Sequence, residues 1–455
     1  MQDAQFQQVV QEAAVSPEAI VALGDFVYDF TALVGFWDPY VQALHNRIVS
    51  HPSDDLHLRA QRVARTLLET LRVYGRVGNA IPLIHIVCNL KLQQSTDPRD
   101  KIFAVLGLAE DVGDYFQPDY SKSVEQVYVE FATCFLNQIP RANVPPGRLL
   151  LQAGRHNQRL SLPSWVPDWD ALMREGDLFT FHGHLRINQF RETVIPLWRD
   201  AKPQPIRIDS TSVVPELHIR GQIRDIVLVS TPPIPPPRPS GEEGDFPAFQ
   251  ILVNSLFLKH GELKGHTFGE VLRMTPKYEA LQPDQQPYLA YLEDNDEDWI
   301  VVLDFSWFAQ RFANVLTADA FRNIRPDEEG EESFKGRAYE ALLAMHAYFA
   351  EDYMPSHDDL LTTTYLGIVD SIRRNRSFCI TLTGNMGLVP VGTESGDRIA
   401  ILEGVGGVVA LRRSTEVEGA WVLIGDAFIE GLSRLIDQED AVECGILKFE
   451  ELVLV

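Results

Sequence analysis

Between Ser377 and about Leu432 the chain sets down one β-rich run after another with little between them. Phe378-Cys379-Ile380-Thr381-Leu382 leads into the turn Gly384-Asn385-Met386-Gly387. Arg398–Leu402, Val408–Arg412 and Trp421–Gly425 follow, with glycine pairs and the stretch Glu416–Gly419 supplying hairpin turns. Such closely spaced strands predict a small antiparallel sheet or barrel. The strands to close it come from residues 178–230, where Leu178–Phe181, Leu185–Ile187, Ile206–Ile208 and Leu217–Gly221 are alternating or β-rich, and Asp225–Val229 extends the last of these.

The rest of the chain carries mainly a helical period. Residues 54–74 form an amphipathic stripe from Leu56 to Tyr74, and residues 80–92 read as another helix. Most of residues 246–372 reads as helices interrupted by two acidic loops. The exception near the start is Ala19–Leu23, a short apolar run ending at the turn signal Gly24-Asp25. The expected class is therefore α+β: a helical N-terminal part and a helical insertion around a small antiparallel β-sheet or barrel. The expected divisions are 1–50, 51–175 (helical), 176–230 with 377–435 (β), 231–376 (proline-rich linker and helical insertion) and a tail at 436–455.

Charge narrows the function. With 40 basic and 64 acidic side chains, the net charge of −24 repels phosphate backbones. The densest basic group is Arg373-Arg374 with Arg376, so nucleic acid is not the expected partner. The four cysteines, Cys88, Cys134, Cys379 and Cys444, are dispersed, which fits a reducing compartment, and Cys88 and Cys134, in apolar helical runs, read as core thiols. The N-terminus MQDAQFQQ lacks a signal-peptide pattern, and no run of 18 apolar residues exists. The expected location is the cytoplasm.

Searches for chemistry yield isolated features. His182 and His184 would share one face of a strand, but no third ligand lies nearby, and no metal is expected. No nucleotide-binding glycine pattern, GxSxG elbow or HExxH occurs, and no cofactor is expected. Pro233, Pro236 and Arg238 have the PxxPxR spacing that SH3-type grooves read.

The sharpest local signals lie between Asp97 and Leu136. Asp97, Pro98 and Asp100 have the chemistry of a helix start: a cap, a residue with φ already set, and a negative charge at the positive end of the dipole. Arg99 and Lys101 complete the charged run, with a possible buried Arg–Asp pair among them. After the loop Pro118-Asp119-Tyr120-Ser121, Ser123 with Gln126 spells a capping box ahead of a second helix. Further on, Leu162–Asp170 holds two prolines that favour extended backbone, among them Pro167, and two anchors, Trp165 and Trp169.

Thr96–Ala109, Pro118–Ser123 and Glu125–Phe131 together resemble the signature of fungal heterokaryon incompatibility (HET) proteins. Leu162–Trp169, Thr383–Gly387, Gly396–Ala400 and Leu423–Phe428, with Gly425 and Asp426, are similar to later segments of that family. The resemblance implies a role in nonself recognition and programmed cell death, through a protein partner. Val9–Ala13 resembles the end of the family's defining domain, with Gln8 where that family has tryptophan. The expectation is a chain holding the family's C-terminal region and a remnant of that domain. The defining domain resembles the TIR fold, some members of which cleave NAD with a glutamate four residues after a tryptophan. Glu12 has that spacing from Gln8 and is the candidate catalytic residue of an alternative, NAD-cleaving reading. A third reading is a truncated gene product without independent activity.

Overall fold

The structure is a computed structural model, and it describes residues 20–23, 26–29, 87, 95–104, 106, 116–137, 146–154, 160–171, 206–210, 214–234, 315–316, 369, 372–373, 375–432 and 447–455. The first elements are a two-stranded hairpin, β1 (Ile20–Leu23) and β2 (Phe26–Asp29). Next come α1 (Asp100–Phe103), α2 (Val124–Asn137) and a 3-10 helix, Pro146–Gln152. The remaining strands are β3 (Arg207–Asp209), β4 (Glu216–Pro233), β5 (Arg376–Thr381), β6 (Met386–Pro390), β7 (Arg398–Leu402), β8 (Val408–Arg413), β9 (Trp421–Ile429) and β10 (Glu450–Leu454).

The antiparallel pairings β4–β5, β5–β6, β6–β9, β9–β8, β8–β7 and β7–β4 return to their starting strand, so six strands close into a barrel. β4 makes closure possible. It is 18 residues long and pairs with β7 through Gly221–Ile226 and with β5 through Val227–Pro233. Its first residues also pair with β3 and β10.

The α+β expectation is corrected here. The described residues are dominated by the eight-stranded sheet, with two bounded α-helices, not by a helical N-terminal part and a helical insertion. The extension of Leu217–Gly221 through Asp225–Val229 does form, as the single strand β4, with a bulge between Ile223 and Asp225. The physical reason for the correction is local: α1, read from its start signals as a helix, is a single turn. The helical-period stretches 54–74, 80–92 and 246–372 lie almost wholly outside the described residues, as do the runs 178–181 and 185–187.

The barrel strands have two buried faces, which explains their near-continuous apolar runs. Ile399, Ile401, Val408 and Ala410 join Val227, Cys379, Val389 and Ile429 in one cluster, to which all six barrel strands contribute. The alternate residues Ala400, Leu402, Val409 and Leu411 belong to a second cluster, with α2, the 3-10 helix and Trp165 and Trp169. A bulge at Ile424 shifts the parity of β9: Ala410 pairs with Gly425, but Leu411 pairs with Leu423. Leu423 therefore faces the outer cluster, while Ile424, Ala427 and Ile429 all reach the barrel cluster. Gly154, after the 3-10 helix, packs onto this bulge. A Cβ there would lie 2.4 Å from the Ile424 carbonyl oxygen, and its φ of +143° also suits only glycine.

Candidate functional site

The charged run before α1 folds back on itself. The Asp97 carboxylate accepts the Arg99 backbone N–H at 3.0 Å and the Arg99 side chain through Nε at 3.0 Å and Nη2 at 2.7 Å. That guanidinium hydrogen bond holds the Asp97 carboxyl below the ordinary carboxylate range. Arg99 then reaches across about twenty residues of sequence: its Nη1 donates to the carbonyls of Tyr120 at 2.7 Å and Lys122 at 2.8 Å. The α1 turn and the Pro118–Ser123 loop are thus closed by one arginine fork, which can present several donors in a fixed geometry.

Tyr120 completes the closure from the other side. Its hydroxyl donates to Asp100 Oδ1 at 2.6 Å, its ring meets Phe103 edge-on at 5.1 Å, and the Arg99 guanidinium lies 5.2 Å from its ring centroid. The Asp100 hydrogen bond pushes the phenol up to about 12. The ring is nonetheless 55% exposed. Within the loop, Asp119 accepts the Ser121 backbone N–H at 2.9 Å and its hydroxyl at 2.6 Å, which lowers the Asp119 carboxyl. Pro118 is exposed. The capping box forms at the start of α2: Ser123 N donates to Gln126 Oε1 at 2.9 Å, and Gln126 N to Ser123 Oγ at 3.3 Å.

Below this clasp the second signature segment docks. The Tyr128 hydroxyl donates to the Pro98 carbonyl at 2.8 Å, and the Tyr128 and Phe131 rings meet Trp169 edge-on at 4.9 and 5.2 Å. Trp165 donates from Nε1 to the Pro215 carbonyl at 3.0 Å, and Pro167 is buried between the two tryptophans in sequence. Asp168, 2% exposed, accepts the backbone N–H groups of Leu160, Asp170 and Ala171, so it shapes its own loop. Ser164 ties the loop to the sheet: its hydroxyl donates to the Val455 carbonyl and accepts the Leu423 N–H. Lys101 faces this interior at 3% exposure. Burial pushes its amine down to about 8, against the pull of the Asp170 charge.

The third signature segment lies across the sheet. Gly425 is at the β9 bulge against Gly154, and Asp426 is turned toward β5. There Arg376 Nη1 donates to the Asp426 carbonyl at 2.6 Å and Nη2 to its carboxylate at 2.5 Å. Arg376 is 2% exposed, so this member of the densest basic group is a core residue and no part of a basic patch. The Thr383–Gly387 turn is held by Asp225, which sequence reasoning placed only as a strand start. Its carboxylate accepts the Thr383 hydroxyl and N–H. Burial pushes the Asp225 carboxyl up, but hydrogen bonds from Thr383, Thr381 and two backbone amides outweigh it and leave the group lowered.

Pro233 ends β4 and is exposed, whereas Pro236 and Arg238 lie outside the described residues, as do Glu12, His182 and His184. Among the described residues no cluster of three or more histidine, cysteine, aspartate or glutamate side chains is placed to hold a metal ion, and no helix is long and apolar enough to cross a membrane. Chemically, the clasp engages its charged groups in internal hydrogen bonds and presents an aromatic ledge at Tyr120. No protein-family model, no curated protein and no solved structure matches this chain.

Proposed function

We propose that the chain is an interaction or regulatory protein similar to the HET class, serving nonself recognition between fungal strains and regulated cell death in the cytoplasm. The observation that supports the reading is the treatment of the signature's charges. Asp97, Arg99 and Asp100 are engaged with one another, with Tyr120 and with backbone carbonyls. Groups held this way stiffen a surface, and an exposed tyrosine beside an arginine is the kind of anchor that protein interfaces use. A protein partner is therefore expected, and the PxxPxR spacing of Pro233, Pro236 and Arg238 is a second contact for an SH3-type groove. Inducible expression of the full chain in a fungal host tests the role: growth arrest is expected, and unimpaired growth at verified expression counts against it. The alternative is NAD cleavage through Glu12. Incubating the purified chain with NAD decides it, since nicotinamide release lost in Glu12→Ala would establish an enzyme, and release no greater than in that variant removes the idea.

A further inference from the structure

β10 fills a groove whose two sides come from distant parts of the chain. It pairs antiparallel with the first part of β4 over five positions and meets β9 at the one pair Leu454–Trp421. Leu452 and Leu454 lie opposite Ile219 and Leu217, and all four are buried in the outer cluster. The tryptophan loop closes one end. Ser164 donates its backbone N–H at 3.0 Å, and its hydroxyl, to the Val455 carbonyl, and the Val455 N–H donates to the Trp421 carbonyl at 2.9 Å. At the other end, Arg220 Nη2 donates to the Phe449 carbonyl at 3.3 Å, and the Lys448 N–H to Gln222 Oε1 at 3.0 Å. Charge matches as well: Glu451 lies opposite Arg220 in the ladder and 3.7 Å from Arg207 of β3.

These are the parts of a strand-recognition site: a backbone ladder, buried places for alternate side chains, and donors for a carbonyl at the end. None of the partners named adjoins β10 in the chain, and the nearest in sequence is Trp421. The groove therefore makes the same contacts with the segment 447–455 of its own copy or of another. The stretch between Leu432 and Leu447 can span up to about 50 Å, which is enough to carry β10 to the groove of a neighbour. We propose that the groove is a strand-acceptor site whose occupant is β10 of a second copy of this chain: two copies exchange the segment 447–455, and each seats the other's in the register seen within one copy. Protein concentration sets the balance between own and exchanged strand. The net charge of −24 on each copy opposes the exchange at low salt, and physiological salt screens it.

Arg220→Cys and Glu451→Cys, made in separate full-length chains, put one thiol on each side of a register pair. Such partners have Cα atoms about 4.5–5.5 Å apart, within reach of a disulfide. Mixing the two variants at physiological salt, followed by mild oxidation, should give a covalent dimer holding one chain of each kind. Its yield should rise with protein concentration, and digestion should release the two peptides joined at 220 and 451. The absence of that link overturns the proposal. So does an equal yield when Glu416→Cys, exposed in the β8–β9 turn, takes the place of Glu451→Cys. Should Arg220→Cys fold poorly, light scattering on the native chain decides instead. A dimer fraction that grows with concentration and is dispersed by excess synthetic peptide of residues 447–455 is required. A monomer at every concentration, or a dimer that the peptide leaves intact, overturns the exchange.

Discussion

The barrel and the clasp solve the same problem, holding distant segments together, with opposite materials. In the barrel, six strands satisfy their backbone groups on one another, and alternate side chains fill one interior. Its specificity lies in register, and bulges in β4 and β9 help decide which residues face inward. In the clasp, a one-turn helix and a six-residue loop have almost no ladder, and an arginine, two carboxylates and a phenol substitute for it. The barrel thus depends on burial, and the buried polar pair between its strands β5 and β9 is costly to break. The clasp depends on many half-exposed hydrogen bonds, each of modest worth.

The largest effect should therefore come from the barrel's buried ion pair. Asp426→Ala leaves the Arg376 guanidinium at 2% exposure without its carboxylate. A loss of about 3–5 kcal/mol in urea unfolding is expected. The double replacement Arg376→Met with Asp426→Leu should recover most of it, because two apolar side chains remove the charge along with its partner. A single variant that unfolds like the native chain would mean that the barrel tolerates a buried guanidinium without its carboxylate, and the contrast between the two regions would fail.

Lys101, buried in α1, marks what the sequence hides. Local chemistry is legible: Ser123 and Gln126 are three residues apart, and their capping box needs nothing else. The strand runs and turn glycines of 377–432 are legible for the same reason. What depends on register is not. Nothing near Asp426 announces Arg376, fifty residues away, because a one-residue bulge at Ile424 decides which face Asp426 takes. The continuity of β4 is legible in its β-rich runs, but the bulge between Ile223 and Asp225 that sets its register is not. Lys101 sits in a run of alternating charge that does not announce its burial, yet it is 3% exposed because α1 stops after one turn and packs against α2 and the tryptophan loop.

That burial carries a pH signature opposite to an ordinary salt bridge. The folded amine loses its proton near 8 and the unfolded one near 10.5. Below pH 8 both states are charged and the desolvation penalty is present in full. Between 8 and 10.5 the unfolded state binds more protons, so stability rises with pH. The rise should be on the order of 2–3 kcal/mol, read by urea unfolding from pH 7.5 to 10. Above pH 10 it should turn over. Burial raises the Tyr128 phenol, and the Asp100 hydrogen bond holds that of Tyr120 at about 12, so both keep in the folded state a proton that unfolded tyrosine gives up. Lys101→Met should be more stable than the native chain at pH 7.5 and show no rise. A native profile flat from 8 to 10 would place the amine in water.

The smallest effect, and the one that bears on function, belongs to Arg99. Its guanidinium joins Asp97 to the carbonyls of Tyr120 and Lys122, all at half-exposed or exposed positions where water can replace each bond. Arg99→Ala should lower the melting temperature by less than either core change, and it should free the 118–123 loop while leaving the barrel intact. Arg99→Lys should restore little, because one ammonium cannot hold a carboxylate and two carbonyls in the fork geometry. Hydrogen exchange at Lys122 N–H, bonded to the Asp119 carbonyl, reads the loop, and near-ultraviolet circular dichroism reads the tryptophan core. If the melting temperature is unchanged and growth arrest in the fungal host is lost, then Arg99 and Tyr120 are the contact surface itself. If both fall together, the clasp serves by holding the fold, and the contact must be sought elsewhere on the molecule.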